Sequence, residues 1–243
     1  MDDRPSRNAG GAAAAWGVHL FTSLGVVVAF FALLAIERGD FKAGLLWLFV
    51  ALVIDGVDGS LARAARVRDR LPRIDGEALD LVIDYITYVL LPVLLIWRGA
   101  YLPEPWAMPL CAAILSSSLY VFARRDMKTD DGYFRGFPGL WNVIAFYFFV
   151  LEPTPAASTV VVVALLVMTF APVHVLHPFR VRDYGPAPAV LTLLWTLTTP
   201  TLLVPSLSEG LRTALIVLSL GSALALIALG LVRSVRGPRP TSQ

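Results

Sequence analysis

The sequence predicts an all-α polytopic membrane protein of about eight transmembrane helices, and three observations predict it. Of 243 residues, 57% are hydrophobic and only 16% are charged, with a mean hydropathy of +0.70. Soluble domains carry about a quarter charged residues. Several stretches approach the ~20 apolar residues that cross a ~30 Å hydrocarbon core. The ~10-residue alternating segments of a membrane barrel are not evident.

Eight candidate spans follow in order: Ala13–Ile36, Ala43–Ala62, Leu79–Trp97, Pro105–Ala123, Leu140–Leu151, Ala156–Leu176, Pro186–Val204 and Leu211–Val232. Met1–Gly11 is polar, with Arg4 and Arg7, but the apolar run after it continues to Ile36. That is longer than a signal-peptide core, so it reads as a retained first span. The fifth candidate is short and contains Asn142, which reads as an interhelical hydrogen-bonding residue. Breaks fall at Arg98-Gly99, Pro103 to Pro105, Pro153 to Pro155, Pro178 and Pro205. The expected organisation is a cytoplasmic segment over 1–12, a single transmembrane domain over 13–232, and a disordered basic tail over 233–243. The single cysteine, Cys111, excludes an internal disulfide and a cysteine-only metal cluster.

Charge position sets the expected orientation. With both termini in the cytoplasm, sixteen of the 20 basic residues fall on that side. Arg38, Lys42, Arg98 and Arg212 fall on the other. This is the positive-inside bias.

The chemistry concentrates between Asp55 and Asp84. Asp55, Asp58, Gly59 and Ala62 form one stripe at the end of the second span, followed by Arg63. Gly76, Asp80 and Asp84 form another at the start of the third. Residues three and four apart share a helix face. The basic link from Arg63 to Asp75 is short, so the two helices are expected to be antiparallel neighbours with converging acids. A charge at mid-bilayer costs roughly 2.5–3.5 kcal/mol, and clustered carboxylates repel unless a cation joins them. Hard oxygen ligands suit Mg²⁺, Mn²⁺ or Ca²⁺ over zinc, and two such ions can clamp a diphosphate. Gly59 and Ala62 let a ligand approach, and Arg63 can pair with phosphate oxygens. Asp69 and Asp75, amid the arginines of the link, read as ion-pair partners of those arginines.

The pattern D-x-x-D-G-x-x-A-R…G-x-x-x-D-x-x-x-D, at Asp55, Asp58, Gly59, Ala62, Arg63, Gly76, Asp80 and Asp84, resembles the signature of the CDP-alcohol phosphotransferases. The Arg63-to-Gly76 spacer is thirteen positions, longer than in most of that family. Further segments are similar to the bacterial phosphatidylcholine synthase branch. They are Trp16 to Thr22, Asp75 to Val89, Asp130 to Pro138 with Trp141-Asn142, and His177 to Arg180.

This resemblance implies a divalent-metal-dependent enzyme of the inner membrane, with Mn²⁺ or Mg²⁺ and two ions. It would transfer a phosphatidyl group from CDP-diacylglycerol to choline and release CMP. Asp55, Asp58, Asp80 and Asp84 would hold the metals, and Asp84 would also be the base. Asp55, Gly59, Ala62, Arg63 and Gly76 would line the CDP-diacylglycerol side. The resemblance further implies a homodimer among membrane lipids, with no nucleic-acid partner.

A quaternary ammonium is recognised by aromatic faces. Tyr85, Tyr88, Tyr133 and Trp141, with Asp131 as an added anion, are the choline candidates. His19 reads either as a buried, hydrogen-bonded histidine or as a substrate contact. Three competing readings are a different acceptor (serine, glycerol phosphate or inositol phosphate), an aspartate-rich prenyltransferase, and a divalent-cation transporter. The transporter requires acids near the bilayer midplane, whereas these cluster at one face.

Overall fold

The computed structural model describes residues 4–237. Alanines 12–15 have the highest helix propensity of any residue. The first helix, α1, accordingly starts early and runs Arg4–Glu37. Residues 4–12, expected as a separate segment, are its opening turns. Gly39, at φ 77°, turns the chain, and Asp40 caps α2 (Phe41–Ala64) by accepting from Ala43 N at 3.0 Å.

The described residues fall into two compact units, Met1–Gly99 with Trp141–Phe146, and Ala100–Leu140 with Tyr147–Gln243. In the first, α1 packs on α2 and on the helices that follow. A Cβ at Gly25 would stand 2.8 Å from Ile83 Cγ2, so the absent side chain is what lets α1 approach the acid-bearing helix.

After α2 the chain reverses at Arg66, φ 48°, into the short α3 (Val67–Arg70). Its Val67 packs against Ala15 and Val18 of α1. Asp75 then caps α4 (Gly76–Asp84), accepting from Glu77 N at 3.0 Å and Ala78 N at 3.1 Å. This corrects the expectation of an ion pair for Asp75: two orphan helix donors claim its carboxylate. Arg68 instead lies 3.9 Å from Glu77, both side chains exposed, which contributes little.

From α4 the helix continues without a break through a π-helical segment, Tyr85–Leu90, into α5 (Leu91–Arg98). Pro92 explains the wide turn. It has no N–H to offer the carbonyl four residues back, and its ring would clash there. A π turn moves that carbonyl aside.

The second unit holds α6 (Ala107–Ala123), β1 (Tyr133–Arg135), α8 (Pro155–Phe170), β2 (His174–Leu176), α9 (Ala187–Thr201) and α10 (Glu209–Arg236). The intervening α7 (Trp141–Leu151) is shared between the units at Phe146. Strands β1 and β2 pair antiparallel, with Tyr133 opposite Leu176 and Arg135 opposite His174. The sixth expected span, to Leu176, is therefore shorter than expected. Pro172 forces Ala171 to an extended ψ of 151° and ends α8 at Phe170.

Helix α10 continues through Arg236, so residues 233–236 of the expected disordered tail are helical. Pro238–Gln243, the rest of that tail, lie outside the described residues. The end of α10 is clasped to the small sheet. Arg233 Nε donates to Asp131 Oδ2 at 2.7 Å, its guanidinium lies 5.6 Å from the Tyr133 ring centroid, and Ser234 Oγ accepts from His174 N at 2.7 Å. Burial works to raise the Asp131 carboxyl, but hydrogen bonds from Thr129 and Arg233 outweigh it and hold it below the usual range. Asp131→Asn is expected to lower stability by roughly 1–2 kcal/mol, read as a fall in melting temperature in detergent. A lowered folded-state value means this contribution is present above the ordinary carboxylate range and is lost as pH falls through it.

Four helical stretches among the described residues are long and apolar enough to cross a membrane: Gly11–Glu37, Phe41–Ala64, Gly76–Arg98 and Glu209–Arg236. The other four expected spans coincide with α6, α7, α8 and α9, which have 17, 11, 16 and 15 residues. At 1.5 Å per residue, α7 reaches only about 16 Å. The protein is an all-α polytopic membrane protein, and four of the eight expected spans meet the length criterion.

Candidate active site

The acids converge within the first unit, as the helical spacing predicts. Asp55 on α2 and Asp80 and Asp84 on α4 each present a carboxylate oxygen, and these oxygens lie within 4.8 Å of one another. All three side chains are half-buried. Oxygens bound to one small dication at about 2.1 Å stand ~3–4 Å apart. The trio is therefore close to the spacing that a single hard ion imposes, and carboxylates are the donors such an ion takes.

Asp58 is placed differently. It is buried, and its Oδ2 accepts from Thr22 Oγ1 of α1 at 2.9 Å. One oxygen is thus oriented by a hydroxyl, which leaves Oδ1 as the atom to offer an ion. Asp55 is likewise held by a hydroxyl, accepting on Oδ2 from Tyr88 OH. Tyr88 sits in the π-helical segment and is itself buried. Hydroxyl donors of this kind fix the direction of a metal-binding carboxylate, and their loss typically costs 10–100-fold in metal affinity. Thr22→Val keeps the shape of the side chain and removes the donor. It is expected to raise the metal concentration for half-maximal activity about tenfold, measured by Mn²⁺ titration. Tyr88→Phe should do the same through Asp55; an unchanged titration in both would show that the hydroxyls orient nothing.

The remaining signature residues flank this centre. Arg63 folds back along α2, donating to Ser60 Oγ at 3.0 Å, and its Nη1 lies 3.5 Å from where a Cβ on Gly59 would stand. Ala62 packs into the apolar cluster of Ala15, Val18 and Val67. It is only partly buried there. At Gly76, a Cβ would stand 3.3 Å from His19 Cε1.

Of the choline candidates, Tyr85 and Tyr88 follow Asp84 on the same helical run, and Tyr85 is half-buried. Trp141 is fully buried within the first unit. Tyr133 and Asp131 belong to the second unit, where they have other partners. Tyr133 is fully buried with its hydroxyl on Asp183 at 3.0 Å, and Asp131 holds Arg233. Sequence reasoning missed Thr22 as the partner of Asp58 and Tyr88 as the partner of Asp55.

A family model for CDP-alcohol phosphatidyltransferases matches residues 18–171, which include every signature position. The chain belongs to the CDP-alcohol phosphatidyltransferase family. It is an enzyme of that family, and the aspartate cluster is one that can hold a divalent metal. Among its relatives, a phosphatidylcholine synthase of Pseudomonas aeruginosa is 45% identical over 192 residues, covering 79% of this chain and 81% of the relative. One of Rhizobium meliloti is 38% identical over 182 residues, 75% of this chain and 76% of the relative. One of Borreliella burgdorferi is 33% identical over 180 residues, 74% and 77% of the two chains.

Proposed function

We propose that this CDP-alcohol phosphatidyltransferase is a phosphatidylcholine synthase, transferring the phosphatidyl group of CDP-diacylglycerol to choline with release of CMP. The observation that carries the chemistry is the convergence of Asp55, Asp80 and Asp84 within 4.8 Å. The acceptor is supported by the relatives, which share the name and reach 48% identity.

Asp55, Asp80 and Asp84 would hold one Mn²⁺ or Mg²⁺ ion, and Asp58, steadied by Thr22, would offer an oxygen to a second. When bound, the ions neutralise the diphosphate and the charge that develops on CMP. Gly59, Arg63 and Gly76 flank the nucleotide side. Asp84 takes the proton of the choline hydroxyl. That oxygen forms a bond to the phosphorus bearing diacylglycerol, the bond from this phosphorus to the bridging oxygen breaks, and CMP departs. A carboxylate is a weak base for an alcohol, so proton transfer accompanies attack.

Tyr85, next to the base and half-buried, is the proposed aromatic contact of the trimethylammonium group, contributing ~2 kcal/mol when desolvated, while Tyr88, buried on Asp55, backs the same side. The charge distribution supports a bacterial inner-membrane location, with the termini and the site on the cytoplasmic side. A homodimer is the proposed assembly, read from the family resemblance. The deciding experiment incubates purified protein with CDP-diacylglycerol, Mn²⁺ and a panel of choline, serine, glycerol phosphate and inositol phosphate. Choline alone should yield lipid product and CMP; turnover with another acceptor would replace the reading.

A further inference from the structure

The second unit carries a surface that the proposed reaction does not use. Tyr120, one turn from the end of α6, and Phe170, the last residue of α8, are 57% and 62% exposed. Their rings meet at 5.7 Å between centroids. Exposed aromatic rings near helix ends of a membrane protein mark headgroup depth. The small sheet is bonded to this end of α8 and the turn after it. Phe137 N donates to Met168 O at 3.1 Å, and Gly136 N to Val173 O at 2.8 Å. The sheet therefore stands at the membrane surface.

The segment after β2 gives this sheet an edge that is both cationic and apolar. Arg180 N and Val181 N both donate to His177 O at 3.2 Å, which closes a turn. Val181 is buried against Tyr133 and Leu176, whereas Phe179 is 69% exposed and Arg180 and Arg182 are exposed. Gly132, at φ 88°, supports the turn: a Cβ there would stand 2.9 Å from Arg180 Cβ. His177 stacks on Phe134 at 5.5 Å, and the exposed Lys128 places Nζ 5.6 Å from the centroid of the same ring. Lys128, Phe179, Arg180 and Arg182 thus share one edge, joined through Phe134 and His177. The acids nearby are mostly engaged. Asp126 pairs with Arg124, Asp131 pairs with Arg233, and Asp183 accepts from Tyr133 OH. Asp130 is exposed, and three cations against it leave the edge net positive.

An exposed ring among cations matches a bilayer boundary, where the ring enters the acyl region and guanidinium groups meet phosphate oxygens. Phosphatidylcholine balances its phosphate with its own trimethylammonium group. Phosphatidylglycerol does not, so a net-negative lipid is the one that these cations favour. We infer that this edge binds the headgroup of an anionic phospholipid, with Lys128, Arg180 and Arg182 holding its phosphate and Phe179 entering the leaflet beside its acyl chains. The inference rests on the chain crossing a membrane, and not on the alcohol that the enzyme uses.

The test titrates the delipidated full chain in detergent with phosphatidylglycerol or phosphatidylcholine and reads bound lipid by native mass spectrometry. Phosphatidylglycerol should bind roughly tenfold more tightly than phosphatidylcholine. Arg180→Gln combined with Arg182→Gln should weaken phosphatidylglycerol about tenfold and leave phosphatidylcholine unchanged. Phe179→Ser should weaken both lipids by about threefold. Arg68→Gln, which removes an exposed arginine of the first unit, should change neither. If the double variant has a lowered melting temperature, Arg182→Gln alone is read in the same way. Equal phosphatidylglycerol affinity in the parent and the arginine variants overturns the inference. Equal weakening in R68Q also overturns it, because the attraction is then diffuse. Displacement of the lipid by inorganic phosphate at matched concentration would assign the edge to a soluble anion and overturn it as well.

Discussion

Replacing Asp84 with asparagine is expected to lower turnover by roughly 10³-fold, within the range a positioned base contributes. Binding of CDP-diacylglycerol should survive in part. The substitution preserves shape and one oxygen but removes basicity and a charge from the trio formed with Asp55 and Asp80. Two losses are thus combined, and they separate by titration. If weaker metal binding alone were responsible, excess Mn²⁺ would restore the rate. If proton removal is the role, saturating metal leaves kcat low while donor KM returns toward that of the parent. Parent-like kcat in the variant would remove Asp84 as the base.

The second large effect is expected from metal removal. A chelator should reduce activity to background, and added Mn²⁺ or Mg²⁺ should restore it. Three carboxylate oxygens within 4.8 Å repel one another across a partly buried site, and a dication is what turns that repulsion into binding. Asp80→Ala should then be lost to rescue at any practical ion concentration, because it removes one of the three oxygens directly. Thr22→Val, which disturbs only the direction of Asp58, should respond to added metal. Activity that persists through exhaustive chelation would exclude a metal role for the trio.

Much of this was legible in the sequence because helical geometry is local. Asp55 and Asp58 are three apart and Asp80 and Asp84 four apart, so periodicity alone put each pair on one face. The short link between them made the helices neighbours. The partner of Asp58 was not legible in the same way. Thr22 is 36 residues away on another helix, and no local rule brings α1 to that face. Tyr88 was legible as a residue near the base, but not as the hydroxyl that holds Asp55. That contact depends on a turn wider than an α-helix, set by a proline further on.

The boundaries that moved also have local causes. Pro172 cut the sixth span short, and the alanine run extended the first helix back to Arg4. The span count was less secure, because apolar composition identifies a helix in lipid without fixing its length. Helix α7, with 11 residues, shows the difference.

The widened turn between α4 and α5 has a consequence for which way each part of this helix faces. An extra residue in one turn advances the phase of everything downstream by about 100°. The carboxylates of α4 and the apolar side chains of α5 are thereby set at an angle to one another that a regular α-helix would not give, so that the acids face inward without dictating which side of α5 meets lipid.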